Sequence, residues 1–268
     1  SQLFHLAGRV NADNSIHVVH MKSSDANTVL DGFTVRGGNC LSESSDYYGG
    51  GIYIDFGSAT LANLIITDNM GKYGAGIAMR ARAENNLIAQ NIIFDENFAG
   101  GGRGGGLYIS GTNATLSQVY FHRNSSDNGG AIYMAATTHV AIDHATFDDN
   151  GAWYSGGAIY NYDNSTLTIH DGVFTHNLTN TGSGGGVAIT GTASATLTDV
   201  TFEDNFSGDG GAGLSSGGTL TLTRGQFTRN ITNYRFTGGG GIRIGNGTFT
   251  ITDTVFSANQ SNDFPGGG

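Results

Sequence analysis

Three places in the chain set two carboxylates side by side directly after a phenylalanine: Asp95-Glu96, Asp148-Asp149 and Glu203-Asp204. Paired carboxylates are what glycoside hydrolysis requires, one to protonate the leaving oxygen and one to act as base or nucleophile. Asp95, Glu96, Asp148 and Asp149 are therefore the sharpest enzymatic candidates. The equivalent position elsewhere holds His122-Arg123, Thr175-His176 and Thr228-Arg229. If these segments stack, Arg123 lies between acidic neighbours and Arg229 follows Glu203-Asp204. Such alternation of sign is what a solvated ladder needs to keep like charges apart. The ladder reading outweighs the catalytic one, so no catalytic residue is assigned.

Eight histidines, at 5, 17, 20, 122, 139, 144, 170 and 176, raise the question of a metal. His144 and His170 fall near one another if repeats stack, yet they stand three and four residues before their Phe and need not face the same way. No carboxylate-histidine spacing of a metal motif occurs. Neither a metal site nor a cofactor is expected, with loop-bound calcium the one exception the aspartates allow. Cys40 is the only cysteine, which excludes an internal disulfide framework and reads as a small buried hydrophobe.

Composition narrows the partners. A net charge of -10 with only 12 Lys and Arg repels a phosphate backbone, so nucleic acid is excluded as a partner. No run approaches the roughly 18 apolar residues of a membrane helix, and no membrane insertion by this segment is expected. Glycine is the commonest residue at 45, but one Pro and no triplet rule out collagen, and 38% hydrophobic residues recurring in register rule out disorder. The glycines must sit at turns.

The elements that position these groups follow from self-similarity. A G-[GA]-[GA]-[ILV] mark occurs eight times, with its apolar residue at Ile52, Ile77, Leu107, Ile132, Ile159, Val187, Leu214 and Ile242, spaced 25 to 30 residues apart. An [FI]-x-x-N mark alternates with it, ending at Asn69, Asn97, Asn124, Asn150, Asn177, Asn205, Asn230 and Asn259. Between them runs a period-two segment such as Ser165-Thr166-Leu167-Thr168-Ile169. Each repeat thus predicts three short strands and has no room for a helix. One such unit cannot bury its own apolar side chains, so it must stack on its copies. The expected fold is an all-β, right-handed parallel β-helix of about nine turns, about 40 Å long at roughly 4.8 Å per step. Residues 1–48 form an entering turn, in which Val29-Leu30-Asp31-Gly32-Phe33-Thr34-Val35 reads as a core-facing strand. Residues 49–268 hold the regular turns of a single domain, and both ends read as the interior of a longer chain. The asparagines form a structural ladder, at a position where Asn tolerates a left-handed backbone. Thr166/Thr168, Thr196/Thr198, Thr219/Thr221 and Thr248/Thr250 suggest an ice-binding array, but their counterparts upstream are irregular, and threonine is simply a good outward strand residue.

Strand alternation also sorts the aromatic residues. With Ile52 and Ile54, Leu107 and Ile109, and Ile132 and Met134 inward, Tyr53, Tyr108 and Tyr133 must face out, and Tyr160 follows Ile159 in the same way. The loop before that strand adds Tyr47, Tyr48, Tyr73, Trp153, Tyr154, Tyr234 and Phe236. Such a face either holds sugar rings or merely covers the sheet. The candidate ligand-binding residues are Tyr53, Tyr73, Tyr108, Tyr133, Trp153, Tyr154 and Tyr160, with Arg80, Arg82 and Arg243 as charge for an acidic glycan.

Gly129-Gly130-Ala131-Ile132 and Gly156-Gly157-Ala158-Ile159, interleaved with Phe147-Asp148-Asp149-Asn150 and Phe174-Thr175-His176-Asn177, resemble the GGAI and FxxN repeats of polymorphic outer-membrane proteins over residues 49–268. The resemblance implies a β-helical passenger displayed outside a bacterial cell, with roles in adhesion or surface structure. Two function classes follow. One is a non-catalytic surface module, a monomer that binds a glycan or a host-surface protein. The alternative is a polysaccharide lyase or hydrolase of the pectate-lyase-like β-helix type, which shares the architecture.

Overall fold

The computed structural model describes residues 15–41, 47–233 and 238–262. Every regular element among them is a strand, and every strand pair is parallel to its equivalent one turn away. The strands fall into three sheets. The first holds nine strands, from Val19–Lys22 through Ile132–Ala135 to Ile242–Ile244, and the last eight begin at a glycine mark. The third holds eight, from Met70–Tyr73 to Gln260–Ser261, and follows each ladder asparagine. Eight complete turns and a partial first one stand where nine were expected.

The middle sheet divides differently from the expectation. The period-two segment and the phenylalanine belong to one long strand, as in Asn113–His122, while the third strand lies beyond the asparagine. The two inward pairs of that strand, Ala114 with Leu116 and Val119 with Phe121, stand three residues apart at their junction. Gln118 absorbs the extra residue with a left-handed backbone, φ 53°. Asn91, His144, Asp171 and Asp199 do the same in their turns. Such a residue bends a strand without ending its pairing, as a bulge does.

A second left-handed column corrects the reading of the ladder. The residue with positive φ is the one before each asparagine, namely Asp68, Glu96, Arg123, Asp149, His176, Asp204, Arg229 and Ala258. The asparagines from Asn69 to Asn230 are buried, and each uses the full hydrogen-bonding capacity of its side-chain amide. Each Nδ2 donates to the Oδ1 one turn on at 2.8 to 3.1 Å, from Asn69 through Asn230. Its other hydrogen goes to a backbone carbonyl of the previous turn, also at 2.8 to 3.1 Å. A fully satisfied buried network of this kind specifies one register.

Beside the ladder runs a column of rings. Phe94, Phe121, Phe147, Phe174, Phe202 and Phe227 are fully buried and stack with centroids 4.3 to 5.0 Å apart. Each stacked pair contributes about 1 kcal/mol beyond simple burial. The glycine mark lets the chain turn into the first sheet. Gly129 has φ 65°, and a Cβ there would lie 2.2 Å from the Ile132 carbonyl oxygen; a Cβ on Gly130 would lie 2.2 Å from the Gly157 oxygen. Only glycine fits both.

The core-facing strand expected over Val29–Val35 is interrupted. Gly32, at φ 78°, splits it into Val29–Asp31 and Thr34–Arg36, with Val35 in the core but Val29 and Phe33 exposed. Cys40 is buried, as expected. The threonines are out of the assumed step by two residues: Thr168 pairs Thr196, and His170 pairs Thr198. The array is therefore broken within its best stretch.

Candidate functional site

The outward column of the first sheet reads His20, Tyr53, Ala78, Tyr108, Tyr133, Tyr160, Ala188, Ser215 and Arg243. The tyrosines do leave the core, but they do not form an open face. Tyr53, Tyr108 and Tyr133 are only 3%, 8% and 2% exposed. The cover comes from the C-terminal ends of third-sheet strands and the residues just before the next first-sheet strand. Tyr48 and Tyr73 bridge each other and stack at 5.0 Å, and both reach Tyr108 where Ala78 leaves room in the column. Tyr48 also stacks on Tyr53 at 5.7 Å, and the Arg103 guanidinium lies 5.0 Å above the Tyr133 ring. The rings run on without a gap from Tyr108 to Tyr133, Tyr160 and Tyr162 at 5.4 to 5.8 Å.

The phenols behave as buried groups. Tyr53 donates to Asp55 Oδ1 at 3.1 Å, and Thr190 donates to the Tyr160 oxygen at 3.2 Å. Burial pushes the Tyr108 and Tyr133 hydroxyls above the usual phenol range, against the opposing charge of Arg103. This stack is a second, outer core. Of the expected ligand-binding set, Tyr160 and Tyr73 are half-buried, and Trp153 and Tyr154 stand out at 38% and 50% exposure. Tyr234, Phe236 and His5 lie outside the described residues.

Trp153 and Tyr154 owe their exposure to a bulge. In the third sheet Ser126 pairs Ala152 and Asn128 pairs Ser155, so two residues oppose the single Asp127. The sequence carries a trace of this, since the stretch from Asn150 to Gly156 is one residue longer than that from Asn124 to Gly129.

The arginines proposed for an acidic glycan are largely engaged. Arg80 pairs with Asp55 at 3.2 Å and lies over the Tyr48 and Phe56 rings, and Arg243 pairs with Asp209 at 3.0 Å. Arg82 lies 5.6 Å above Phe56. The charged ladder is engaged in the same way. His122 bonds Asp95 at 2.9 Å, Arg123 reaches Glu96 at 3.0 Å, and His176 bonds Asp148 at 3.1 Å. Arg229 pairs with Asp204 at 2.8 Å and with Glu203. His144 and His170 are out of register by one residue and both bond Asp143, at 2.7 and 2.8 Å. Among the described residues no three His, Cys, Asp or Glu side chains are grouped to hold a metal ion, and no helix is long and apolar enough to cross a membrane. A cleft of about 220 Å³ beside the second sheet is lined by Ala26, Ser58, Thr60, Asn86, Ile88 and Thr115 among others, and offers no titratable side chain.

With three parallel sheets, a ring column and an asparagine ladder in place, comparison with known proteins gives the class. Residues 50–227 match the family described as the right-handed β-helix region, and the chain belongs to that family. It is also similar to the probable autotransporter YfaL of Escherichia coli (strain K12), with 32% identity over 177 residues. That match takes in 58% of this chain and only 14% of the relative's length. No solved structure matches the chain.

Proposed function

We propose that this β-helix is part of a passenger region displayed on, or released from, a bacterial surface, and that it works as a non-catalytic module binding a glycan or a host-surface protein. The observation that carries this reading is the engagement of the polar side chains. Of the four carboxylates that would do hydrolysis, Asp95, Glu96 and Asp148 are tied across turns to His122, Arg123 and His176, while Asp149 has no such partner and is pushed above the usual carboxylate range by burial and by Asp148 beside it. Exposed aromatic residues at Trp153, Tyr154 and Tyr162 supply contact area instead. The similarity to a probable autotransporter and the likeness of the repeats to polymorphic outer-membrane proteins support a surface location.

The test is a pair of assays on the purified protein. Incubation with pectins, alginates and glycosaminoglycans is expected to give no new reducing or unsaturated ends, while glycan arrays or host-cell surfaces retain the protein. Turnover that disappears on a single carboxylate or arginine substitution would replace this reading with the enzymatic one.

A further inference from the structure

The corner that joins the first sheet to the second is exposed at Arg82, Ala136, Asn164, Thr192 and Gly217, and again at Asn246 and Gly247. Asn246-Gly247 is one of three Asn-Gly pairs in the chain, with Asn128-Gly129 and Asn150-Gly151. Such a pair can react with itself, because a glycine nitrogen has no neighbouring Cβ to shield it from the preceding side chain. The nitrogen gives its proton to hydroxide and bonds to the asparagine Cγ. The Cγ–Nδ2 bond breaks, and ammonia leaves with a proton from water, which restores the hydroxide. Water then opens the five-membered imide at either carbonyl, to aspartate or to isoaspartate. One water is taken up, one ammonia is released, and nothing is oxidised or reduced.

The reaction needs a free backbone nitrogen and a free side-chain amide, and the fold withholds them from two of the pairs. Asn150 is a buried ladder residue with its amide bonded on both sides, and the Gly151 N–H donates to the Asn124 carbonyl at 3.0 Å. Asn128 ends a strand, and the Gly129 N–H donates to the Ser155 carbonyl at 3.0 Å. At Asn164-Ser165, in the same corner of an earlier turn, the asparagine Oδ1 accepts from Thr192 at 2.6 Å and Ser165 is buried. At Asn246-Gly247 neither the side chain nor the Gly247 N–H has a hydrogen-bond partner among the described residues. The link there runs from Gly245 to Thr248, where Gly217-Gly218 alone makes it one turn below, so the ring has room to close.

We propose that Asn246 is a site of spontaneous deamidation, with water as the co-reactant and isoaspartate and aspartate as products. The isoaspartyl form adds one carbon to the backbone between two strands whose register is fixed, since Ser216 pairs Ile244 and Leu220 pairs Phe249. The new carboxylate adds charge to a chain already at -10. Conversion therefore loosens the strand Phe249–Thr252 and leaves the central turns as they were.

The test is peptide mapping by mass spectrometry of the purified protein held in mildly alkaline buffer, with electron-transfer fragmentation to tell isoaspartate from aspartate. Asn246 is expected to convert roughly tenfold or more faster than Asn128 and Asn150, which react only through local opening. In urea the three pairs should convert at similar rates. Asn246→Gln, whose longer side chain disfavours the five-membered ring, should lose no ammonia at this position and should keep its hydrogen-exchange protection over Phe249–Thr252 as the parent loses it. Folded protein in which Asn128 or Asn150 keeps pace with Asn246, or in which Asn246 stays intact while the urea-unfolded chain converts, would overturn the site. Unchanged protection in fully converted protein would overturn the loosening.

Discussion

At the residue scale the asparagine ladder and the charged ladder beside it differ sharply in what they contribute. Asn150 accepts from the Asn124 side chain and backbone and donates to Asn177 and to the Phe121 carbonyl, all in the dry interior. Asn150→Ala strands these partners, and urea unfolding should show a loss of about 3 kcal/mol or more. The surface pairs act through pH instead. Hydrogen bonding from Arg229 holds the Asp204 carboxyl below the usual range, and Arg224 does the same for Asp199. A carboxyl depressed in the folded state stabilises above its unfolded value, near pH 3.9, and that contribution fades as pH falls through the folded value. Arg229→Ala should therefore be less stable than the parent at pH 7, with the two unfolding curves converging as pH falls below the folded-state value of Asp204. These pairs are exposed, so the difference is small.

At the scale of elements, one turn is interchangeable with the next. Asn128 and Ser155 are register partners, so removing residues 129–155 joins equivalent positions and keeps the glycine mark at Gly156. The shortened protein should retain its β-sheet circular dichroism with a modestly lower melting temperature, because stability in a solenoid adds turn by turn. Removing residues 129–141 alone should give an unfolded or aggregated chain. The same self-similarity explains what the sequence discloses. Strand starts, the phenylalanine column and the asparagine ladder are legible because each position repeats its own chemistry one turn later. The cover over Tyr53, Tyr108 and Tyr133 is not, because it is made by Tyr48 and by Tyr73 and Arg103 at the ends of third-sheet strands, where the register shifts and the spacing varies and so escapes a periodic reading. The left-handed position likewise hid beside the asparagine, since Asp, Glu, Arg, His and Ala occupy it with no shared residue type. Trp153 and Tyr154 stood out by type, whereas the bulge that exposes them left only one extra residue in the sequence.

At the scale of the whole molecule, protection should be graded along the axis. The phenylalanines of the central turns are fully buried, while Val29 and Phe33 near one end and Val255 and Phe256 near the other are exposed. Hydrogen exchange should be slowest in the strands around Phe121, Phe147 and Phe174 and fastest at the two extremes. Uniform exchange along the chain would contradict a solenoid held by nearest-neighbour contacts. The ladder adds a property that no single turn has. Every side-chain amide from Asn69 to Asn230 points its nitrogen the same way, toward the higher-numbered turn. Seven aligned dipoles then sum along the axis, making the rod an electret with its positive pole toward Asn259. A turn inserted in the same orientation would extend that polarisation, and an inverted one would set amide nitrogen against amide nitrogen.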